Sequence, residues 1–145
     1  KDLKSQISSE HLIYSKIENK PILNENILIV DEFGILKQLY KYSNIAYIGG
    51  GFNQGVHNTL EPAVYGNLML FGPKHTNFSE TKFFIEKQIA ICVKNKPDFE
   101  DKLNRFLQNY QSKQIILNIT SSFFKNKKQN LDVILNHITN ELKNK

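Results

Sequence analysis

Five short apolar runs mark the first two thirds of the chain: Leu12-Ile13-Tyr14, Ile27-Leu28-Ile29-Val30, Ile45-Ala46-Tyr47-Ile48, Leu68-Met69-Leu70-Phe71 and Ile89-Ala90-Ile91-Cys92-Val93. They do not alternate apolar with polar positions, and continuous runs of this kind suit strands covered on both faces. Phe33, Leu36, Leu39 and Tyr40 recur at helical spacing after the second run, and residues 57–66 and 78–87 fit helices after the third and fourth. The order is βαβα. It predicts an α/β fold: a Rossmann-like, mostly parallel sheet with helices on both faces and right-handed crossovers. Ligands of such sheets bind beyond the carboxyl ends of the strands. The segments 31–35, 49–58 and 72–77 emerge there, so three loops are expected to converge on one crevice.

Beyond residue 97 the pattern changes. Phe99, Leu103, Phe106, Leu107 and Tyr110 make one helical stripe, and Leu131, Ile134, Leu135, Ile138 and Leu142 make another. Both read as core-facing. Ile115, Ile116, Ile119, Phe123 and Phe124 predict a further helix between them, with Asn- and Lys-rich linkers separating the three. Leu3 and Ile7 read as one side of a helix already under way at the start, so the chain is expected to be a fragment, with residues 1–145 forming one domain.

The densest chemistry lies between the third and fourth runs. A loop with four glycines, Gly49-Gly50-Gly51-Phe52-Asn53-Gln54-Gly55-Val56, leads into His57-Asn58-Thr59-Leu60-Glu61-Pro62-Ala63. Strand, glycine turn and helix start make an anion or nucleotide site, because the first helical N–H groups lack intrahelical partners and lie at the positive end of the helix dipole. The spacing is neither G-x-G-x-x-G nor a P-loop, which argues against dinucleotide oxidoreductases and P-loop ATPases. His57 and Glu61 are one helical turn apart, and Asn58 and Glu61 are three residues apart, so the three share a face. Glu61 has two readings from the residues alone: a capping partner of Asn58, or an acceptor for a sugar diol. His57 reads equally as a residue that holds the loop.

Composition narrows the picture. The 145 residues are 40% hydrophobic and 23% charged, ordinary for one soluble domain. No run is long enough to span a bilayer. The lone cysteine, Cys92, cannot form an internal disulfide and reads as a small buried hydrophobe in a reducing compartment. A net charge of +5 admits nucleic acid, phospholipid or phosphorylated ligands. No interleaved basic and aromatic pattern points to nucleic acid, and no Asp or Cys/His set has metal-ligand spacing.

Four ordered motifs carry a family resemblance: Asp31-Glu32-Phe33-Gly34-Ile35-Leu36, Tyr47-Ile48-Gly49-Gly50-Gly51, His57-Asn58-Thr59-Leu60-Glu61-Pro62-Ala63, and Phe71-Gly72-Pro73-Lys74-His75-Thr76-Asn77-Phe78. Over residues 25–95 the chain resembles the C-terminal domain of the 3-deoxy-D-manno-octulosonate (Kdo) transferases of lipopolysaccharide synthesis. The resemblance implies the donor domain of an inverting GT-B glycosyltransferase, with CMP-Kdo as donor and a lipid A precursor, lipid IVA, as acceptor. It implies that Asn58-Thr59-Leu60-Glu61 and the neighbouring His57 contact CMP, with Glu61 on the ribose hydroxyls and Asn58 near the phosphate. Phe33-Gly34-Ile35 would be a second CMP-contacting turn, although many family members have an acidic residue where this chain has Ile35. The family's Gly-Gly-Ser loop becomes Gly49-Gly50-Gly51, placing Gly50 and Gly51 at the donor. Gly72-Pro73 and Asn77 would form a further donor-side loop. The general base lies in the family's N-terminal domain, so no catalytic residue is assigned here and the fragment alone is expected to be inactive. The resemblance further implies no cofactor beyond the donor substrate, no nucleic-acid partner, and a full-length enzyme on the cytoplasmic face of the bacterial inner membrane. The nearest rival is another GT-B nucleotide-sugar enzyme, a UDP-sugar transferase or epimerase.

Overall fold

The structure is a computed structural model that describes residues 11–17, 27–108 and 112–143. The expected helical start at Leu3 and Ile7, and Tyr110 of the first stripe, lie outside the described residues. The chain falls into two compact units, one ending at Leu39 and the other beginning at Tyr40.

In the first unit, β1 (His11–Ile13) pairs in parallel with β2 (Ile27–Ile29), His11 opposite Ile27 and Ile13 opposite Ile29. Beyond the strands, Asp31 ties back to Ser15: its carboxylate accepts from the Ser15 N–H at 3.1 Å and from the Ser15 hydroxyl at 2.8 Å. The helix predicted from Phe33 onward is a single turn, α1 (Leu36–Leu39).

The second unit is a three-stranded parallel sheet in the order β3 (Ile45–Ile48), β4 (Leu68–Phe71), β5 (Ala90–Cys92). Ile45 lies opposite Leu68, Ile48 opposite Phe71, and Phe71 opposite Cys92. Helix α2 (Leu60–Val64) links β3 to β4 and α3 (Ser79–Glu86) links β4 to β5. Helix α4 (Lys96–Gln108) and α5 (Lys113–Lys143) follow. All four residues of β4 are buried, as its unbroken apolar run requires of the middle strand.

Successive side chains of a strand point to opposite faces. Ile48, Met69 and Phe71 meet Ala63 of α2, Phe84 of α3 and Ile116 of α5 in one core cluster. Tyr47 points the other way and meets Phe99 of α4 edge to face, with ring centroids 6.0 Å apart. The helices therefore cover both faces, as the sequence predicts. Cys92 is half-buried at the rim of the core, and burial pushes its thiol above the ordinary value.

The predicted division of the C-terminal region is corrected. A single 31-residue helix, α5, runs through both the Ile115–Phe124 segment and the Leu131–Leu142 stripe. The intervening Lys125-Asn126-Lys127-Lys128-Gln129-Asn130 contains no Gly or Pro, and Lys and Gln are good helix formers, so nothing local stops the helix. Its first half is core: Ile116 and Thr120 are buried, and the Phe123 ring packs on Phe83 and Phe84 at centroid distances of 4.9 and 5.3 Å. From Lys125 on, the described side chains are exposed. Leu131, Ile134 and Leu135 are exposed, against the core role predicted for them. In the α4 stripe, Phe106 packs on the core while Leu107 is exposed.

Candidate functional site

The glycine loop after β3 is folded on itself. The Gly50 carbonyl accepts from the N–H groups of Asn53 at 2.9 Å and Gly55 at 3.1 Å, and the Gly49 carbonyl accepts from His57 N–H at 3.0 Å. The loop is also laced to the next strand's exit. Lys74 N–H donates to the Gly51 carbonyl at 2.8 Å, and Val56 N–H donates to the Lys74 carbonyl at 3.0 Å.

Three glycines, Gly50, Gly51 and Gly72, are demanded by this packing. Gly50 has φ +85, and a Cβ there would stand 2.2 Å from the Gly55 carbonyl oxygen and under 3 Å from the His57 ring. Gly51 and Gly72 touch backbone to backbone, so a Cβ on Gly51 would lie 2.5 Å from the Gly72 nitrogen. Because Ile48 and Phe71 are register partners, the glycines that follow their strands emerge side by side. The convergence predicted for the loops after the third and fourth runs is thus built from backbone hydrogen bonds.

The helix start differs from its prediction. Residues 57–59 precede the helix, and α2 begins at Leu60. Asn58 Oδ1 accepts from Leu60 N–H at 2.9 Å and, more weakly, from Glu61 N–H at 3.4 Å. These N–H groups, expected to point outward for an anion, are capped by the side chain proposed to lie beside them. His57 is exposed, its ring lies over Gly49 and Gly50, and its own N–H closes the loop, so the loop-holding reading of this residue is realised. Glu61 is partly buried in the first turn of α2. Its carboxylate is near enough to Tyr40 to add to the main effect, burial, in raising the Tyr40 phenol above its ordinary value. Leu60 is exposed and Thr59 is buried. Among the described residues the Thr59 hydroxyl has no hydrogen-bond partner.

Two residues that the sequence did not single out hold this helix. Asn67 is fully buried and its Nδ2 donates to the carbonyls of Tyr40 at 2.8 Å and Pro62 at 3.2 Å, while its Oδ1 accepts from the Ser43 hydroxyl. It thereby fixes α2 against the turn that carries Tyr40. Lys113, at the start of α5, donates from Nζ to the carbonyls of Lys41 at 2.9 Å and Ser43 at 2.8 Å and closes the same turn. The only sequence signal for Asn67 is its place directly after Gly66, which has φ +69.

Phe33, Gly34 and Ile35 belong to the first unit. Phe33 is fully exposed, Gly34 has φ +85 with nothing within 4 Å of a Cβ placed there, and the Ile35 carbonyl accepts from Gln38 and Leu39 in the turn of α1. Among the described residues no three His, Cys, Asp or Glu side chains converge as a metal site, and no helix is long and apolar enough to cross a membrane.

A parallel sheet with a glycine loop and a helix start at the carboxyl ends of its strands is the arrangement of the Rossmann-like nucleotide-binding α/β proteins. Comparison makes that class particular. A 3-deoxy-D-manno-octulosonic acid transferase from Rickettsia conorii is 34% identical over 122 residues, 82% of this chain and 26% of that protein. The enzyme of the same name from Aquifex aeolicus is 41% identical over 87 residues, 59% of this chain and 25% of that protein. Among solved structures, the C-terminal CMP-Kdo binding domain of WaaA from Acinetobacter baumannii matches with a TM-score of 0.57 at 23% identity, over 68% of this chain and 52% of that one. No protein-family model matches the chain. The chain is similar to the Kdo transferases, spanning about a quarter of the length of those it matches, and it shares the fold of the WaaA C-terminal domain.

Proposed function

We propose that this chain is the CMP-Kdo-binding part of a Kdo transferase, which passes Kdo to a lipid A precursor, lipid IVA, in lipopolysaccharide biosynthesis. The observation that carries the reading is Glu61. In a chain similar to these enzymes it is a partly buried carboxylate in the first turn of α2, three residues after Asn58, whose side chain caps that helix. A carboxylate there suits the two hydroxyls of a ribose.

In this reading residues 1–145 form one donor-binding domain. His57, Asn58, Thr59, Leu60 and Glu61 border CMP, Gly50 and Gly51 give the backbone room to approach it, and Phe33, Gly34 and Ile35 supply a second contact. Asn58 Oδ1 already caps the helix, so its amide Nδ2 is the end left to reach the phosphate. The transfer is inverting: an acceptor hydroxyl attacks the anomeric carbon, the bond to the CMP phosphate breaks, and CMP leaves as the anion. The general base that takes the proton of the acceptor hydroxyl belongs to the acceptor domain of the intact enzyme, so this chain alone is inactive, and no cofactor is required beyond the donor. In this reading the full-length enzyme works at the cytoplasmic side of the inner membrane, and the net charge of +5 is compatible with an anionic membrane face.

Calorimetric titration of the chain with CMP, UMP and AMP tests the reading. CMP is expected to bind in preference to the other two, and Glu61→Ala to weaken it about tenfold or more, since a hydrogen bond to a charged group is worth roughly 1.5–3 kcal/mol. Equal binding of UMP would point to a UDP-sugar enzyme. An unchanged affinity in Glu61→Ala would remove Glu61 from the site.

A further inference from the structure

The loop that leaves β4 encloses a second, smaller feature beside the glycine loop. Gln54, Gly55, Lys74, Thr76, Asn77 and Phe78 line a pocket of about 230 Å³ between the two loops. The larger cleft on the α4 side, about 470 Å³, is walled mainly by the rings of Tyr47, Phe52 and Phe99, with Asn95 and Lys96 as its polar residues. The smaller pocket has the opposite character. Gln54, Thr76 and Asn77 bring neutral donors and acceptors suited to hydroxyl groups, the Phe78 ring gives an apolar wall, and Lys74 brings one positive charge.

The pocket is held open by its own framework. The Thr81 hydroxyl bonds to the carbonyls of His75 at 3.0 Å and Phe78 at 2.6 Å, and lies 3.2 Å from His75 Nδ1. The His75 ring also packs on Phe71, with centroids 5.2 Å apart, so it turns inward to the core. Lys74, Thr76 and Asn77 are left on the outer side of the turn, and all three are exposed. Lys74 does not trail into solvent: its Nζ donates to the Asn53 carbonyl at 2.6 Å, which sets the ammonium over the glycine loop. An ammonium has three donors, and this bond uses one.

Resting on the donor reading above, we propose that this pocket holds the sugar of the donor and that Lys74 pairs with the carboxylate of that sugar acid. Gln54, Thr76 and Asn77 take its hydroxyls. The position follows from the loop lacing, because Val56 N–H bonds to the Lys74 carbonyl one residue before His57. In this proposal a ligand whose nucleotide lies along 57–61 places its next group at this pocket. The cation discriminates a sugar acid from a neutral sugar, since a carboxylate brought there without it loses a charge-assisted hydrogen bond.

The test is titration of the full 145-residue chain and its Lys74→Gln and Asn77→Ala variants with CMP, with CMP-Kdo, and with CMP-Kdo whose carboxylate is converted to an amide. The expected result is CMP affinity within twofold of wild type in both variants. CMP-Kdo should bind at least tenfold more weakly to Lys74→Gln, and the amide should bind wild type and Lys74→Gln alike. Asn77→Ala is expected to weaken the acid and the amide equally. The proposal is overturned if Lys74→Gln weakens CMP and CMP-Kdo by the same factor, which would make Lys74 only a latch on the loop, or if neither variant changes CMP-Kdo binding. A wild-type chain that binds neither CMP nor CMP-Kdo would instead overturn the donor reading, and this one with it.

Discussion

The turn after β2 and the loop after β3 both carry glycines at positive φ, yet they are built in opposite ways. Gly34 stands in open space next to a fully exposed Phe33. Gly50 and Gly51 are pressed against Gly55, His57 and the backbone of Gly72, inside a mesh of main-chain hydrogen bonds. Glycine serves in the first case for its backbone conformation alone, and in the second for the room its missing side chain leaves. The second loop is therefore ordered before any ligand arrives, and binding there spends little free energy on ordering the chain. In the first, one turn of helix and one carbonyl hold the backbone, and the aromatic ring beside it waits in solvent.

Alanine at each glycine separates the two cases. Gly51→Ala places a Cβ 2.5 Å from the Gly72 nitrogen, a backbone atom that cannot swing away, so β3 and β4 must part at their ends. A loss of about 3 kcal/mol or more is expected, at the top of the overpacking range, read as a fall in Tm of about 10 °C. A variant as stable as wild type would show that the two loops do not touch in solution.

Asn67→Ala comes next. It removes the donors that serve the Tyr40 and Pro62 carbonyls, and it leaves those carbonyls and the Ser43 hydroxyl without this partner. About 2–3 kcal/mol is expected in denaturant unfolding. Because Asn67 fixes α2 relative to Tyr40, CMP affinity should fall as well, although Asn67 touches no ligand. A stability loss with intact CMP affinity would show that the helix keeps its position without the clamp.

Gly34→Ala meets no neighbour, so only the strain of a left-handed Ala remains. About 1 kcal/mol is expected, with no loss of side-chain packing. An effect as large as that of Gly51→Ala would mean that Gly34 is packed in solution and would erase the contrast between the loops.

What the sequence made readable was mostly local. The apolar runs of three to five residues mark the five strands, which form two parallel sheets, and the unbroken run of β4 is the one buried throughout. The helices after them followed from spacing. The meeting of Gly51 with Gly72 was not readable, because it depends on the Ile48–Phe71 register, which no local pattern encodes. Asn67 escaped notice for a similar reason: after Gly66 it reads as a turn residue, and only the folded chain brings Tyr40, Ser43 and Pro62 around it. The continuity of α5 was misread from composition, since a Lys- and Asn-rich stretch resembles a linker until the absence of any helix breaker is weighed. At the site, the link between Asn58 and Glu61 was readable from their spacing, whereas the helix that was to carry His57 on the same face begins only at Leu60. The use of Asn58 as a cap on the helix beside Glu61 was settled by the fold.

Thr59 offers the finest division within the well-built region, because it lies between Asn58 and the start of α2 and its hydroxyl is buried with no partner among the described residues. Valine has nearly the same shape and lacks the oxygen. If that oxygen has no part in the donor site, Thr59→Val removes a desolvated polar atom at no cost in packing, and the chain is expected to gain about 0.5–1 kcal/mol in denaturant unfolding while CMP affinity stays unchanged. If the hydroxyl reaches the nucleotide when the site is filled, the same variant gains the stability and loses affinity several-fold. The two measurements therefore separate a residue that shapes the helix start from one that touches the ligand, at the one position between Asn58 and Leu60 where burial and chemistry pull in different directions.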